Sequence, residues 1–235
     1  MSIKTLLVID VNSRGSLIPG RGGQSVARET ALQTVLPWIV ERVSQSKRVN
    51  SMVVLMNSSD ARAMATRVPS VATVIASDES NGLSRLLLAA DAFDAEAIIK
   101  VDFETPLIDP ALIDMLMESV RQNPSADYIS YREGNEPAKQ TAGKFAEWCR
   151  VSALREAGDF APGRGESPTS ILHANPDRFE VRYLKLAASE DRSNLRVRMD
   201  SPQDLRNVND FIARARERTS RNPDRVSSGF RPPND

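Results

Sequence analysis

The chain has 235 residues, 40% of them hydrophobic, enough for one large α/β domain with a sizeable core. Its 31 lysines and arginines balance 31 aspartates and glutamates, so no global charge draws it to nucleic acid or to an anionic membrane. With one cysteine, Cys149, and one histidine, His173, it cannot form an internal disulfide and lacks the ligands for a histidine or thiolate zinc site. A catalytic metal would therefore need carboxylate ligands, which points to Mg²⁺ or Mn²⁺.

Thr5–Ile9 reads as a first strand, and the charge at Lys4 and Asp10 arrives too soon for a signal peptide. No apolar run approaches the ~18–20 residues that span a bilayer. The expected location is the cytoplasm. The loop that follows, from Asn12 to Gln24, contains Arg14, Gly15, Pro19, Gly20, Arg21, Gly22 and Gly23. A glycine-rich turn after the first strand brings backbone N–H groups close to phosphate oxygens, and arginine adds charge-assisted bonds. It matches neither the P-loop nor the dinucleotide pattern, and a solvated connection is the other reading.

Further strands are expected at Ser51–Met56, Ala72–Ala76, Ala97–Val101 and Asp127–Tyr131, with later ones near Glu180–Leu186 and Arg196–Met199. The first five, rich in Val, Ile and Leu, suit a mostly parallel sheet buried on both faces; the last two alternate and suit an edge. Ser58 or Ser59 is expected to cap a helix running to about Arg67. Asp109-Pro110 starts another, with Leu112, Ile113, Leu116, Met117 and Val120 on one face until Asn123-Pro124 stops it. Ser201-Pro202 opens a last helix, with Leu205, Val208, Phe211 and Ile212 at core spacing. The glycine-bearing stretch Arg132–Glu166 reads as an excursion from this rhythm, over a site or at a dimer contact. The expected domain spans 1–218, with a disordered tail over 219–235. Alternating strands and helices without an internal repeat predict a doubly wound α/β sheet.

Three places carry candidate chemistry. One is the glycine-rich loop. Another is the end of the fourth strand, where Asp102 and Glu104 stand two apart and could serve a hard divalent cation, or simply form a polar strand end. The last is Asp200, at a strand-to-helix junction, where a carboxylate could reach a cation also held by the fourth strand, or simply serve as a helix-start acid that complements the dipole. His173 and Cys149 read as packing residues.

Pro106-Leu107-Ile108-Asp109-Pro110-Ala111-Leu112-Ile113, Ala126-Asp127-Tyr128-Ile129-Ser130, Asn175-Pro176-Asp177-Arg178-Phe179 and Met199-Asp200-Ser201-Pro202-Gln203-Asp204-Leu205 occur in an order and spacing similar to the cytidylyltransferase family. That family includes CMP-sugar synthetases and spore-coat polysaccharide cytidylyltransferase-like proteins. The resemblance implies a nucleotide-diphospho-sugar transferase (GT-A-like) fold and transfer of CMP from CTP to a sugar or sugar acid for surface polysaccharide. It further implies Mg²⁺ held by Glu104 and Asp200, with Pro19, Gly20 and Arg21 around the triphosphate, and a homodimer through Arg132–Glu166.

Several positions depart from the family pattern. Asn12 and Leu17 replace two loop arginines, for which Arg14 would have to compensate. Phe103 replaces a glycine and sets a ring where backbone approaches nucleotide. Phe145 replaces a carboxylate in a segment that keeps Glu147, and Ser167 replaces a histidine. Two other readings stay open: a non-catalytic nucleotide- or partner-binding descendant, and a GT-A glycosyltransferase using Asp102 and Glu104 as an Asp-x-Asp-like motif.

Overall fold

A computed structural model describes residues 3–11, 23–132, 145–160, 167–185, 199 and 201–221. Among them are the strands β1 (Thr5–Asp10), β2 (Met52–Met56), β3 (Thr73–Ala76), β4 (Ala97–Asp102), β5 (Tyr128–Arg132), β6 (Ala146–Arg150) and β7 (Val181–Lys185). The helices are α1 (Gly23–Val43), α2 (Ser58–Met64), α3 (Gly82–Ala92), α4 (Pro110–Gln122), α5 (Val151–Phe160), α6 (Ser170–Ala174) and α7 (Pro202–Arg221). The strands form one sheet in the order β3-β2-β1-β4-β6-β5-β7. Only β6 runs antiparallel to its neighbours, β4 and β5.

Strand periodicity divides the core between the two faces. Leu7, Ile9, Ile99 and Val101 join α1, α4 and α7 through Leu36, Ile39, Ile113, Leu116, Leu205 and Val208. Leu6, Val8 and Ile98 turn the other way, onto Leu86 and Ala89 of α3, Leu154 of α5 and Ile171 of α6. Alternate residues of each strand therefore have opposite environments, and both environments are apolar until the carboxyl ends. The doubly wound reading holds.

Three local expectations change. β3 is a sheet edge with no fully buried residue, although its composition suggested burial on both faces. Helix α2 is capped by Asn57, whose side chain accepts from the Asp60 amide, and it ends at Met64. The stretch read as an excursion contains β6, inserted between β4 and β5, and helix α5. As expected, β7 takes the opposite edge. Of the strand expected at Arg196–Met199 only Met199 is described, and the tail beyond Arg221 lies outside the described residues.

Helix α4 shows its start signal in full: the Asp109 side chain accepts from the Ala111 amide at 3.0 Å, and Pro110 occupies the first turn. Asp109→Ala is expected to cost ~1 kcal/mol, read as a lower urea midpoint at unchanged slope.

Candidate active site

Between β1 and β4 the strand order reverses direction, so the carboxyl ends of these two strands flank the crevice where open α/β sheets bind ligands. Asp10 and Asp102 end the two strands as direct partners in the β1–β4 register. Both belong to the strand face that carries Leu6, Val8 and Ile98, where α3, α5 and α6 pack.

Asp10 is fully buried and pairs with Arg85 of α3 at 2.7 Å. A second Arg85 nitrogen donates to the Glu79 carbonyl at 2.8 Å, which ties the loop before α3 to β1. The start of this helix lies tight against the 167–169 segment. A Cβ added at Gly82 would come within 2.6 Å of the Pro168 ring, so glycine is required there by close approach.

Beside this pair lies a second buried network. Lys100 of β4 donates to Asp102 and lies 3.4 Å from Glu147 of β6. Glu147 also accepts from the Tyr128 hydroxyl at 2.5 Å and from the Thr169 hydroxyl at 2.8 Å. Ser167 and Thr169 share a hydroxyl contact of 3.1 Å. Burial alone would push the Glu147 carboxyl up, but Lys100, Tyr128 and Thr169 outweigh it and hold the carboxyl below its ordinary value. Burial likewise opposes the Lys100 ammonium, yet Asp102 and Glu147 keep it protonated far above the ordinary lysine range.

A carboxyl whose folded pKa is depressed contributes stability above its unfolded value and loses it as the pH falls through the folded one. Glu147→Gln is therefore expected to flatten the acid limb of stability below the ordinary glutamate value of 4.5. Urea midpoints of both proteins, taken from neutral pH downward, check this; parallel acid limbs would contradict it.

On the other side of Asp102 the chain turns sharply. The Thr105 amide and hydroxyl both donate to the Asp102 carbonyl, at 3.0 and 2.8 Å. Glu104, in this turn, is buried. Its carbonyl accepts from the Met199 amide at 2.9 Å, which joins the end of β4 to the residue before Asp200. Helix α1 fixes the same turn from behind: Trp38 donates to the Pro106 carbonyl at 3.0 Å and Arg42 to the Ile108 carbonyl at 2.6 Å. The Trp38 ring meets Phe211 of α7 edge-on at 6.2 Å, and Thr34 donates to Asn209 at 2.7 Å. The turn and the last helix are thus held against one support.

Phe103 departs from expectation. Its ring is 1% exposed and belongs to the core on the α1 side, so it does not stand in the crevice. Phe145 packs edge-on against Tyr131 at 5.7 Å in the same core. His173 lies 5.7 Å from the Tyr128 ring, and Cys149 is buried with its thiol pushed up by burial, as packing residues.

Of the residues expected at the site, Asp102 and Glu104 come together at one strand end. Arg14, Pro19, Gly20, Arg21 and Asp200 lie outside the described residues. Among the described residues no three His, Cys, Asp or Glu side chains converge as a metal site. Asp102 is engaged by Lys100. Sequence reasoning passed over Asp10, Arg85, Lys100, Tyr128 and Thr169. A lysine inside the apolar run Ile98-Ile99-Lys100-Val101 was the available signal, because a charge in a strand buried on both faces needs partners. No helix among the described residues is long and apolar enough to cross a membrane.

Comparison with known proteins gives the crevice its context. The sequence matches the cytidylyltransferase family model over residues 32–202. No curated protein matches it significantly. Among solved structures, a cytidylyltransferase from Leptospira borgpetersenii superposes with a TM-score of 0.67 at 16% identity, covering 99% of this chain and 100% of that one. A CMP:2-keto-3-deoxy-manno-octonic acid synthetase solved with CTP gives 0.64 at 15% identity, covering 90% and 99%. Rv0371c of Mycobacterium tuberculosis, solved with manganese, gives 0.52 at 16%, covering 83% and 98%. At these identities the structures establish the shared fold. The family model covers most of the chain, from α1 through the Glu104 turn to the start of α7, and the chain belongs to the cytidylyltransferase family.

Proposed function

We propose that this protein transfers CMP from CTP to a sugar or sugar acid that serves surface polysaccharide synthesis, releasing pyrophosphate. The observation that carries the reading is the Met199–Glu104 backbone bond. It brings Met199, the residue before Asp200 in the sequence, to Glu104 at the end of β4, beside the switch point, and this supports Asp200 as a second carboxylate there.

That donor set fits a hard divalent cation, Mg²⁺ or Mn²⁺, with Glu104 and Asp200 as the protein ligands. Such a cation supplies charge neutralisation to the triphosphate. The rest is positioning. Arg21 and Arg14 would neutralise phosphate oxygens, and Pro19 and Gly20 would shape the loop around them. An anionic sugar oxygen attacks the α-phosphorus, the new O–P bond forms, and the bond from that phosphorus to the bridging oxygen breaks, so that pyrophosphate leaves with the bridging oxygen. No group on the protein needs to become covalently modified.

The CTP complex of the octonic acid synthetase and the manganese complex of Rv0371c support a nucleotide site and a divalent cation on this fold. The glycosyltransferase alternative is weakened by Lys100, which already engages the Asp102 that an Asp-x-Asp-like motif would need. The non-catalytic alternative rests on Asn12 and Leu17, where the family carries arginines.

Pyrophosphate release from nucleoside triphosphates, screened against sugars and sugar acids with Mg²⁺ or Mn²⁺, tests the proposal. Acceptor-dependent release from CTP is expected. Release from no nucleotide with any acceptor would favour the non-catalytic reading, and consumption of a nucleotide-sugar instead would favour the glycosyltransferase.

A further inference from the structure

Arg85 is buried beside the switch point and takes no part in the chemistry proposed above. One of its nitrogens donates to Asp10, the last residue of β1, at 2.7 Å, and another to the Glu79 carbonyl at 2.8 Å. Glu79 lies in the turn 77–81, which joins β3 to α3 at the carboxyl end of the sheet. The Ser77 amide ties the start of this turn to the Met56 carbonyl of β2 at 2.8 Å. Ser58 of α2 donates to Asp78 through its amide at 2.9 Å and its hydroxyl at 2.5 Å. The Glu79 carboxylate accepts from the Asn81 amide at 2.8 Å, and the Asn81 side chain caps α3 by accepting from the Leu83 amide at 2.9 Å. Asp78, Glu79 and Ser80 are nevertheless exposed, so polar bonds and not burial hold the turn in place.

A buried ion pair is a poor source of stability, because both charges give up their hydration. What a guanidinium supplies is direction: its planar fork of donors fixes two acceptors at once, here the end of β1 and the turn. We propose that Arg85 is a positioning residue, which holds the 77–81 turn against the end of β1 as a preformed wall of the nucleotide crevice. This role rests on the transferase reading for the identity of the ligand, but not for the state of the turn. With a loose turn, only the closed fraction would bind CTP, and the apparent affinity would fall by that fraction. Saturating CTP would restore the closed turn, and with it the full turnover rate.

Arg85→Lys tests this role. Lysine keeps a cation beside Asp10 but is a single point donor, without the fork that reaches the Glu79 carbonyl as well. The variant is expected to keep a thermal midpoint close to native. Amide hydrogen exchange at Asn81 and Leu83 is expected to quicken by roughly tenfold or more, with the amides of α4 unchanged. KM for CTP is expected to rise about tenfold while kcat stays within about twofold.

If Arg85 only neutralised Asp10, lysine would serve as well; native exchange and native KM in Arg85→Lys would overturn the proposal. A lower kcat at unchanged KM would overturn it too. No turnover of CTP by the native protein would remove the transferase reading. Exchange at Asn81 and Leu83 would then decide the positioning role alone, faster exchange supporting it and native exchange overturning it. Should Arg85→Lys fail to fold, Arg85→Met combined with Asp10→Val removes both buried charges together, and the same readouts decide.

Discussion

Lys100→Met is expected to lower the unfolding free energy by ~3–5 kcal/mol at neutral pH, the range for breaking a buried charge pair by removing one partner. The methionine fills most of the lysine volume, so packing changes little. Asp102 and Glu147 lose the charge that balances them; Glu147 is 1% exposed and cannot recover the loss from water. Tyr128 and Thr169 still donate to Glu147, but neutral hydroxyls stabilise a carboxylate less than an ammonium does. Part of the loss should return on acidification, since without Lys100 the desolvation that opposes Glu147 ionisation prevails and a proton neutralises it. Urea unfolding at two pH values reads both effects. A loss below ~1 kcal/mol, insensitive to pH, would mean that the network is not balanced by Lys100.

Glu104→Ala is expected to reduce acceptor-dependent pyrophosphate release by ~10²–10³-fold, corresponding to the several kcal/mol that metal ligation supplies to phosphoryl transfer. The fold should survive, because the turn is held through its own carbonyls and not through the Glu104 carboxylate: the Met199 amide donates to the Glu104 carbonyl and the Trp38 indole to the Pro106 carbonyl. Glu104→Asp keeps the charge with one methylene less and is expected to fall between the two. Steady-state kcat/KM at saturating and limiting Mg²⁺, with near-ultraviolet circular dichroism as a fold control, separates lost ligation from lost structure. Equal activity of Glu104→Ala and the native protein would remove Glu104 from the metal site.

What was legible in the sequence followed from local physics. The parallel strands could be read from their unbroken Val, Ile and Leu runs, and α4 from Asp109-Pro110 followed by Ile113, Leu116 and Val120 at helical spacing. The family motifs likewise lie in contiguous stretches. What failed depends on partners far away in the chain. β6, Ala146-Glu147-Trp148-Cys149-Arg150, carries a charge at its second position and looks unlike a central strand. Glu147 is tolerated there only because Lys100, Tyr128 and Thr169 converge on it from 47, 19 and 22 positions away.

The candidate site divides in the same way. The strand end with Asp102 and Glu104 was evident, but the capture of Asp102 by Lys100 was not. Neither was the burial of Phe103, because a ring beside a strand end can turn to either face and only packing against α1 and its neighbours selects one. β3 shows the converse error: an apolar sequence does not reveal that, among the described strands, none lies beyond it.

The most direct measurement of the central claim is calorimetric titration of the native protein with CTP, with and without Mg²⁺, repeated on Glu104→Ala and with the other nucleoside triphosphates. CTP binding is expected to require the metal, to exceed that of the other triphosphates, and to disappear in Glu104→Ala. Absence of CTP binding under every condition, or binding indifferent to both Mg²⁺ and Glu104, would contradict it and leave a cytidylyltransferase fold put to another use.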